Sequence, residues 1–454
     1  MMIRQGSNYK PEGEGGLRGW QLGVLAAGTF TLGVDGFVLA GLLPAIADDL
    51  SVSVSTAGQL TTIFSITYAV GSPVLAALTG RWDRRLLLGG GLALFLLGMA
   101  GQALAPSYAV MAAGRAAAAL GAAAFQSNAY VMAGMLADGR RRGRALAAVT
   151  AGTSLSTVLG VPFGVLAGQW FGWRAVLWVI TALAALTAFC VPLLPRAHVP
   201  PTNMRARLGV LTRPAVLLVL LATVAVVAPP ILLISYLPVV LGMADTDGRL
   251  VVILLAFGLG SLTGNRLVGR LVDGRGALGV LLVAVAGLAA SFAVLVPARE
   301  EYGAALAVLL AVGAFQGLSI TPQQHRLFVV APDVATVALG LNGSAIYLGS
   351  ALGAALGGVT LDAAGAATIP ATAAVLAAAG LALIATTAPE RRPRTAATPV
   401  ATAPTGPAPA EPVSAEPASA GPAPGQPRPL MDSGPSTAAG AAAARAARQH
   451  ESGR

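Results

Sequence analysis

Asp35 and Arg115 are charged residues set inside apolar runs, TLGVDGFVLAGLLP around the acid and GRAAAALGAAAFQ around the base. A carboxylate ionised at the middle of a bilayer costs about 2.5–3.5 kcal/mol on insertion scales, so it is paired, neutralised or functional. Burial disfavours its charged form and a nearby guanidinium favours it. A carboxyl held between those influences can take a proton from one side of a membrane and release it on the other. The plain alternatives are a static ion pair for Asp35 and snorkelling to an interface for Arg115. We expect both to serve proton movement, and each is the other's candidate partner.

Two basic stretches also contain an acid. Gly269-Arg270-Leu271-Val272-Asp273-Gly274-Arg275-Gly276 follows one apolar run, and Gly80-Arg81-Trp82-Asp83-Arg84-Arg85 follows another. The second is one residue shorter between Gly and Asp and lacks the closing Gly. A turn held by Gly, with Asp at a helix end, can pair with Arg in one arrangement and release it in another, which makes a gate. Plain loop charge would explain the arginines but not Asp83 or Asp273.

Gly152, Ser156, Gly160, Gly164 and Gly168 recur every four residues, as do Ala345, Gly349, Gly353 and Gly357. Such spacing makes smooth seams where helices approach closely, and Pro162 removes a backbone donor and favours a bend. Gln126, Asn128, Tyr236, Gln316, Asn342 and Tyr347 are candidate substrate-cavity residues, although polar side chains in apolar spans more often bind helices together. Arg266, Arg326 and His325 are expected at the membrane interface. Cys190 has no CxxC or His/Cys partner and reads as inert. With no GxxxxGK[ST] loop, no HExxH and only three His, no enzymatic chemistry, ATP site, metal or cofactor is expected beyond a proton gradient.

The elements that must hold these residues follow from composition. The 454 residues are 55% hydrophobic and only 11% charged, with mean hydropathy +0.73; soluble domains carry about 25% charged residues. A soluble enzyme, a disordered chain and a disulfide scaffold are excluded, and an all-α integral membrane protein remains. The net charge of +10 sits in breaks between apolar runs, not in a basic stripe, so no nucleic-acid partner is expected. A helix crosses the bilayer with about 20 apolar residues. Twelve such runs occupy 20–44, 56–79, 86–105, 108–136, 145–169, 173–195, 214–241, 249–270, 277–298, 303–326, 336–361 and 366–388. Arginines concentrate in alternate connections and acids in the others, which puts both termini in the cytoplasm. Residues 1–19 read as a cytoplasmic segment and 388–454 as a disordered Ala/Pro-rich tail.

Ala124-Phe125-Gln126 recurs as Ala314-Phe315-Gln316, and Asp83 and Arg85 recur as Asp273 and Arg275, all at an offset of 190. Together these indicate two pseudo-symmetric six-helix bundles, 20–195 and 214–387, joined by a polar linker at 196–213. With DGFVLAGLLPAIADDLSVS, LGVPFGVLAGQWFGWR, GRLVDGRG and LNGSAIYLGSALGAALGG, the chain resembles the major facilitator superfamily. The likeness covers about Trp20 to Thr387 and lies closest to the twelve-helix drug:proton antiporters, near the arabinose-efflux and chloramphenicol-resistance permeases. It implies a monomeric, multi-pass plasma-membrane transporter that exports small, largely apolar molecules in exchange for protons by alternating access. A sugar or metabolite exporter of the same fold, and a non-transporting receptor or sensor, are the alternatives. The resemblance places Asp35 among proton-coupling acids. It gives Arg115 a partial match to the fourth-span motif, with Leu120 where Gln is usual. In the fifth span Val161 separates Gly160 from Pro162, a departure from the antiporter motif.

Overall fold

The computed structural model describes residues 19–137, 142–197, 209–242 and 248–386. The expected amino-terminal segment, most of the linker and the tail therefore lie outside the described residues. Among those described, twelve helices are long and apolar enough to cross a membrane. They are α1 Gly19–Asp49, α2 Val54–Leu78, α3 Arg84–Ala103, α4 Tyr108–Leu136, α5 Gly143–Phe171 and α6 Trp173–Leu193, followed by α7 Pro214–Ser235, α8 Arg249–Arg275, α9 Ala277–Ala298, α10 Tyr302–Val330, α11 Val337–Ala364 and α12 Ala366–Thr386.

Four details differ from the runs in the sequence. Helix α1 passes through Pro44 and continues to Asp49. The run 214–241 divides at Tyr236, and a short helix Leu237–Val240 restarts with Pro238 in its first turn, where a missing N–H is tolerated. Helix α10 extends to Val330 but is interrupted between Gly317 and Ile320. Helix α5 contains a π-helical turn at Ser156–Gly160, where Val161 N–H bonds Ser156 O directly before Pro162. A proline clashes with the carbonyl four residues earlier, and the widened turn relieves that clash.

The packing maps onto itself when the helices are shifted by six. Within the first half α1 packs on α5 and α6, α2 on α4, and α3 on α4 and α6. Within the second, α7 packs on α11 and α12, α8 on α10, and α9 on α10 and α12. The contacts between halves obey the same shift, α2 against α11 and α8 against α5. Equivalent corners share a backbone conformation as well. Gly172 between α5 and α6 has φ 81 and ψ 158, and Gly365 between α11 and α12 has φ 82 and ψ 166. Only glycine adopts that region without strain.

An even number of crossings puts the start of α1 and the end of α12 on one face. That side of the molecule, with the basic connections after α2, α6 and α8, is its arginine-rich face. The opposite side, with Asp48, Asp49, Glu300, Glu301 and Asp362, is its acidic face.

Candidate functional site

Asp35 lies sixteen residues from Gly19 and fourteen from Asp49 in α1, about 24 Å and 21 Å from the helix ends at about 1.5 Å per residue. It is at mid-depth. Arg115 of α4 donates from Nη1 to Asp35 Oδ1 at 2.7 Å, and both side chains are 0% exposed. The guanidinium also lies over the Phe64 ring of α2, 4.4 Å from its centroid, a favourable placement for a desolvated cation. Asp35 Oδ2 and Arg115 Nε and Nη2 are buried and make no hydrogen bond within the protein. A buried pair with three of its five polar atoms unbonded is poorly compensated for desolvation. Its second carboxylate oxygen remains available to a proton.

The aromatic chain continues across the molecule. Phe64 stands 6.3 Å from Tyr347 of α11, and Tyr68 of α2 stacks on Tyr347 at 3.6 Å between centroids. The ion pair therefore connects through one ring to the α2–α11 contact between halves.

Toward the acidic face the halves close together. Ser55 of α2 donates to Asp362 of α11 at 2.7 Å. Tyr236 is fully buried, donates to Ala354 O at 3.0 Å, and packs where Gly58 of α2 and Gly357 and Gly358 of α11 leave no Cβ. Gly258 of α8 lies against the backbone of Thr157 and Val158 in α5.

On the other side of these contacts is a cavity of about 290 Å³ between the halves. From the first half it is lined by Phe37, Tyr130 and the α5 hydroxyls of Thr150, Thr153, Ser154 and Thr157. The second half adds Ser261, Asn265, Gln316 and Ser350 among aliphatic residues. Among the described residues, no charged side chain is in the lining.

Twelve spans, two halves related by a six-helix shift and a cavity at their interface are matched by sequence. The Major Facilitator Superfamily profile fits residues 25–353. The chain belongs to the major facilitator superfamily.

Among relatives of this superfamily member, the "Chloramphenicol resistance protein" of Streptomyces lividans is 36% identical over 346 residues, 74% of this chain and 88% of that one. The "Inner membrane transport protein YdhP" of Escherichia coli K12 is 32% identical over 370 residues, 79% and 93% of the two chains. A crystal structure of a D-xylose-proton symporter superimposes with a TM-score of 0.68 at 14% identity, over 81% of this chain and 97% of that one. The last comparison supports the fold.

Within this major facilitator fold the expected site residues scatter. Of the six proposed cavity residues, only Gln316 lines the cavity. Asn128 accepts from Arg84 Nη1 at 3.0 Å, Asn342 accepts from Thr223 at 2.8 Å, Tyr236 belongs to the acidic-face closure and Tyr347 to the ring stack. Gln126 is half-buried outside the lining. These five lie outside this lining, and four of them bond or stack between helices. The residues missed, chiefly Tyr130 and the α5 hydroxyls, are neutral and carried no charge signal.

The first basic loop is a clamp within its own half. Asp83 caps α3 by accepting from Arg85 N at 2.9 Å, and it accepts from Ala197 N at 3.2 Å. Arg84 also donates to Gly80 O, and Arg85 reaches Pro192 O and Leu194 O at the end of α6. Through Arg85 and Ala197, Asp83 is thereby tied to the first half and the segment that leaves it. In the second loop, Gly269 and Asp273 are not in a turn but on exposed turns of α8, which runs on to Arg275. Gly276, at φ 78, is the break.

Gly152, Gly160, Gly164 and Gly168 all face α1, meeting residues between Ala26 and Leu42, and Ser156 sits against Gly33. Gly349 and Gly353 face α7 from Val224 to Leu232, and Gly357 meets Leu232 and Tyr236 just past the end of α7. Arg326 is buried at 2% exposure and bonded to Gln323 at 3.2 Å, so it does not snorkel; Arg266 and His325 are exposed.

Proposed function

We propose that this major facilitator exports a small molecule in exchange for protons, with Asp35 as the proton carrier and Arg115 as its release partner. The observation that supports the reading is the buried Asp35–Arg115 pair at mid-depth, with one carboxylate oxygen unbonded. Protonation of Asp35 removes its charge and frees Arg115, which rests on Phe64 beside the Tyr68–Tyr347 contact between halves. A change of proton occupancy thereby acts on the interface that must slide during alternating access. In this reading the membrane is the plasma membrane, and the positive-inside rule supports a cytoplasmic position for the arginine-rich face and both termini. With the acidic face closed, this is read as the inward-facing arrangement, and the transporter is taken to work as a monomer. The name of the Streptomyces relative supports a drug-like substrate.

Proteoliposomes test the reading. Chloramphenicol added under an imposed pH gradient is expected to drive proton movement that Asp35→Asn abolishes. Flux of the Asn variant without a gradient points to a facilitator, and binding without flux to a sensor. Undiminished proton-coupled flux in Asp35→Asn refutes the carrier role.

A further inference from the structure

The charge count of the cavity limits its ligand. Among the described residues, all the side chains lining it are uncharged. An ion entering a poorly hydrated cavity without a counter-ion loses its solvation uncompensated. The mid-depth charges, Asp35 and Arg115, are fully buried, bonded to each other and outside the lining.

The polar residues that line the cavity form a pattern. Thr150, Thr153, Ser154 and Thr157 stand at i, i+3, i+4 and i+7 on α5, one face of a helix. Thr150 donates to Leu146 O at 3.0 Å and Ser350 to Ile346 O at 3.0 Å, so both hydroxyl protons are spent on their own helices. Thr153 Oγ1 in the first half and Gln316 Oε1 in the second are buried with no hydrogen-bond partner. Aliphatic residues complete the wall, with Val227, Ile231, Ile320 and Ile346 from the second half. A buried acceptor left unpaired is costly, and a wholly apolar ligand would leave both atoms so.

We infer that the cavity takes an uncharged amphipathic molecule, an apolar body carrying hydroxyl or amide groups, with Thr153 and Gln316 as its specificity-determining residues. The inference deepens the transporter reading and rests on it. A volume of about 290 Å³ lies just below the roughly 300–1,000 Å³ of small-molecule pockets, which suits a small ligand. A ligand bonded to both residues touches both halves at once, so its binding and release respond to their relative movement.

Equilibrium binding to the full chain in lipid nanodiscs tests this with four probes. Chloramphenicol and phenyl galactoside are neutral and carry hydroxyls; tetraphenylphosphonium is a cation and p-aminohippurate an anion. At least one neutral probe is expected to bind about tenfold or more tighter than either ion. Thr153→Val and Gln316→Leu are each expected to weaken it about tenfold at unchanged melting temperature, the loss of one hydrogen bond to a buried partner, while Thr153→Ser retains affinity. Equal or tighter binding of an ion, no binding of either neutral probe, or unchanged affinity in both variants overturns the assignment. Counterflow separates the two readings. A neutral probe that binds as described without being transported removes the transporter reading and leaves the cavity assignment standing.

Discussion

Neither Asp35 nor Arg115 is stable in the interior alone, and each supplies what the other lacks. Removing one partner of a buried pair costs about 3–5 kcal/mol, because the remaining charge is stranded, whereas replacing both with apolar side chains is often neutral. Asp35→Leu and Arg115→Met are therefore each expected to lower the melting temperature in detergent more than the double variant does. A double variant less stable than both singles would show that the pair is not mutually compensating. Both residues were conspicuous in the sequence as charges inside apolar runs. Phe64 was not, since an aromatic there looks like ordinary lipid-facing or core packing. The cavity hydroxyls were hidden for a similar reason: Thr and Ser in apolar helices usually bond their own i−4 carbonyls, and Thr150 and Ser350 do so. Thr153 differs in making no such bond.

Helix α5 shows how far spacing alone can be trusted at the scale of an element. In a regular helix each four-residue step drifts by about 40°, so five residues from Gly152 to Gly168 would wander about 160° round the surface. Yet each contacts α1. The π turn at Ser156–Gly160 takes up more residues per turn and cancels much of the drift. The four-residue repeat was legible; the turn that makes it work was implied only by Pro162. The seam also ranks its own substitutions. A Cβ on Gly152 meets the Ala26 carbonyl, which is backbone and cannot move aside, whereas one on Gly164 meets a methyl of Val38. Gly152→Ala is expected to cost about 1–3 kcal/mol, the usual range for overpacking, and Gly164→Ala less. Thermal melts of the two variants check the order, and a reversed order would mean that α1 and α5 are held by something other than this seam.

At the scale of the molecule, the sequence offered twelve apolar runs and a 190-residue echo, and both survive as packing that repeats after six helices. The connection between halves was not legible, because it depends on small contacts far apart in the chain. Ser55 and Asp362 are 307 residues apart, and neither has a distinctive neighbourhood. Together with Tyr236 they close the acidic face while the cavity lies beyond them. If the halves rock about the cavity, this closure must open once in each cycle, and the Ser55–Asp362 bond is broken each time. In a Cys190→Ser background, oxidative cross-linking of Ser55→Cys with Asp362→Cys is therefore expected to stop transport, and reductant to restore it. While the link holds, a thiol placed at Asn265 should react with an impermeant maleimide only from the arginine-rich face, because α2 and α11 can no longer separate at the other end. Transport at full rate with the cross-link in place would mean that the acidic-face contacts are a fixed part of the wall. The ligand would then need a route that leaves α2 and α11 together.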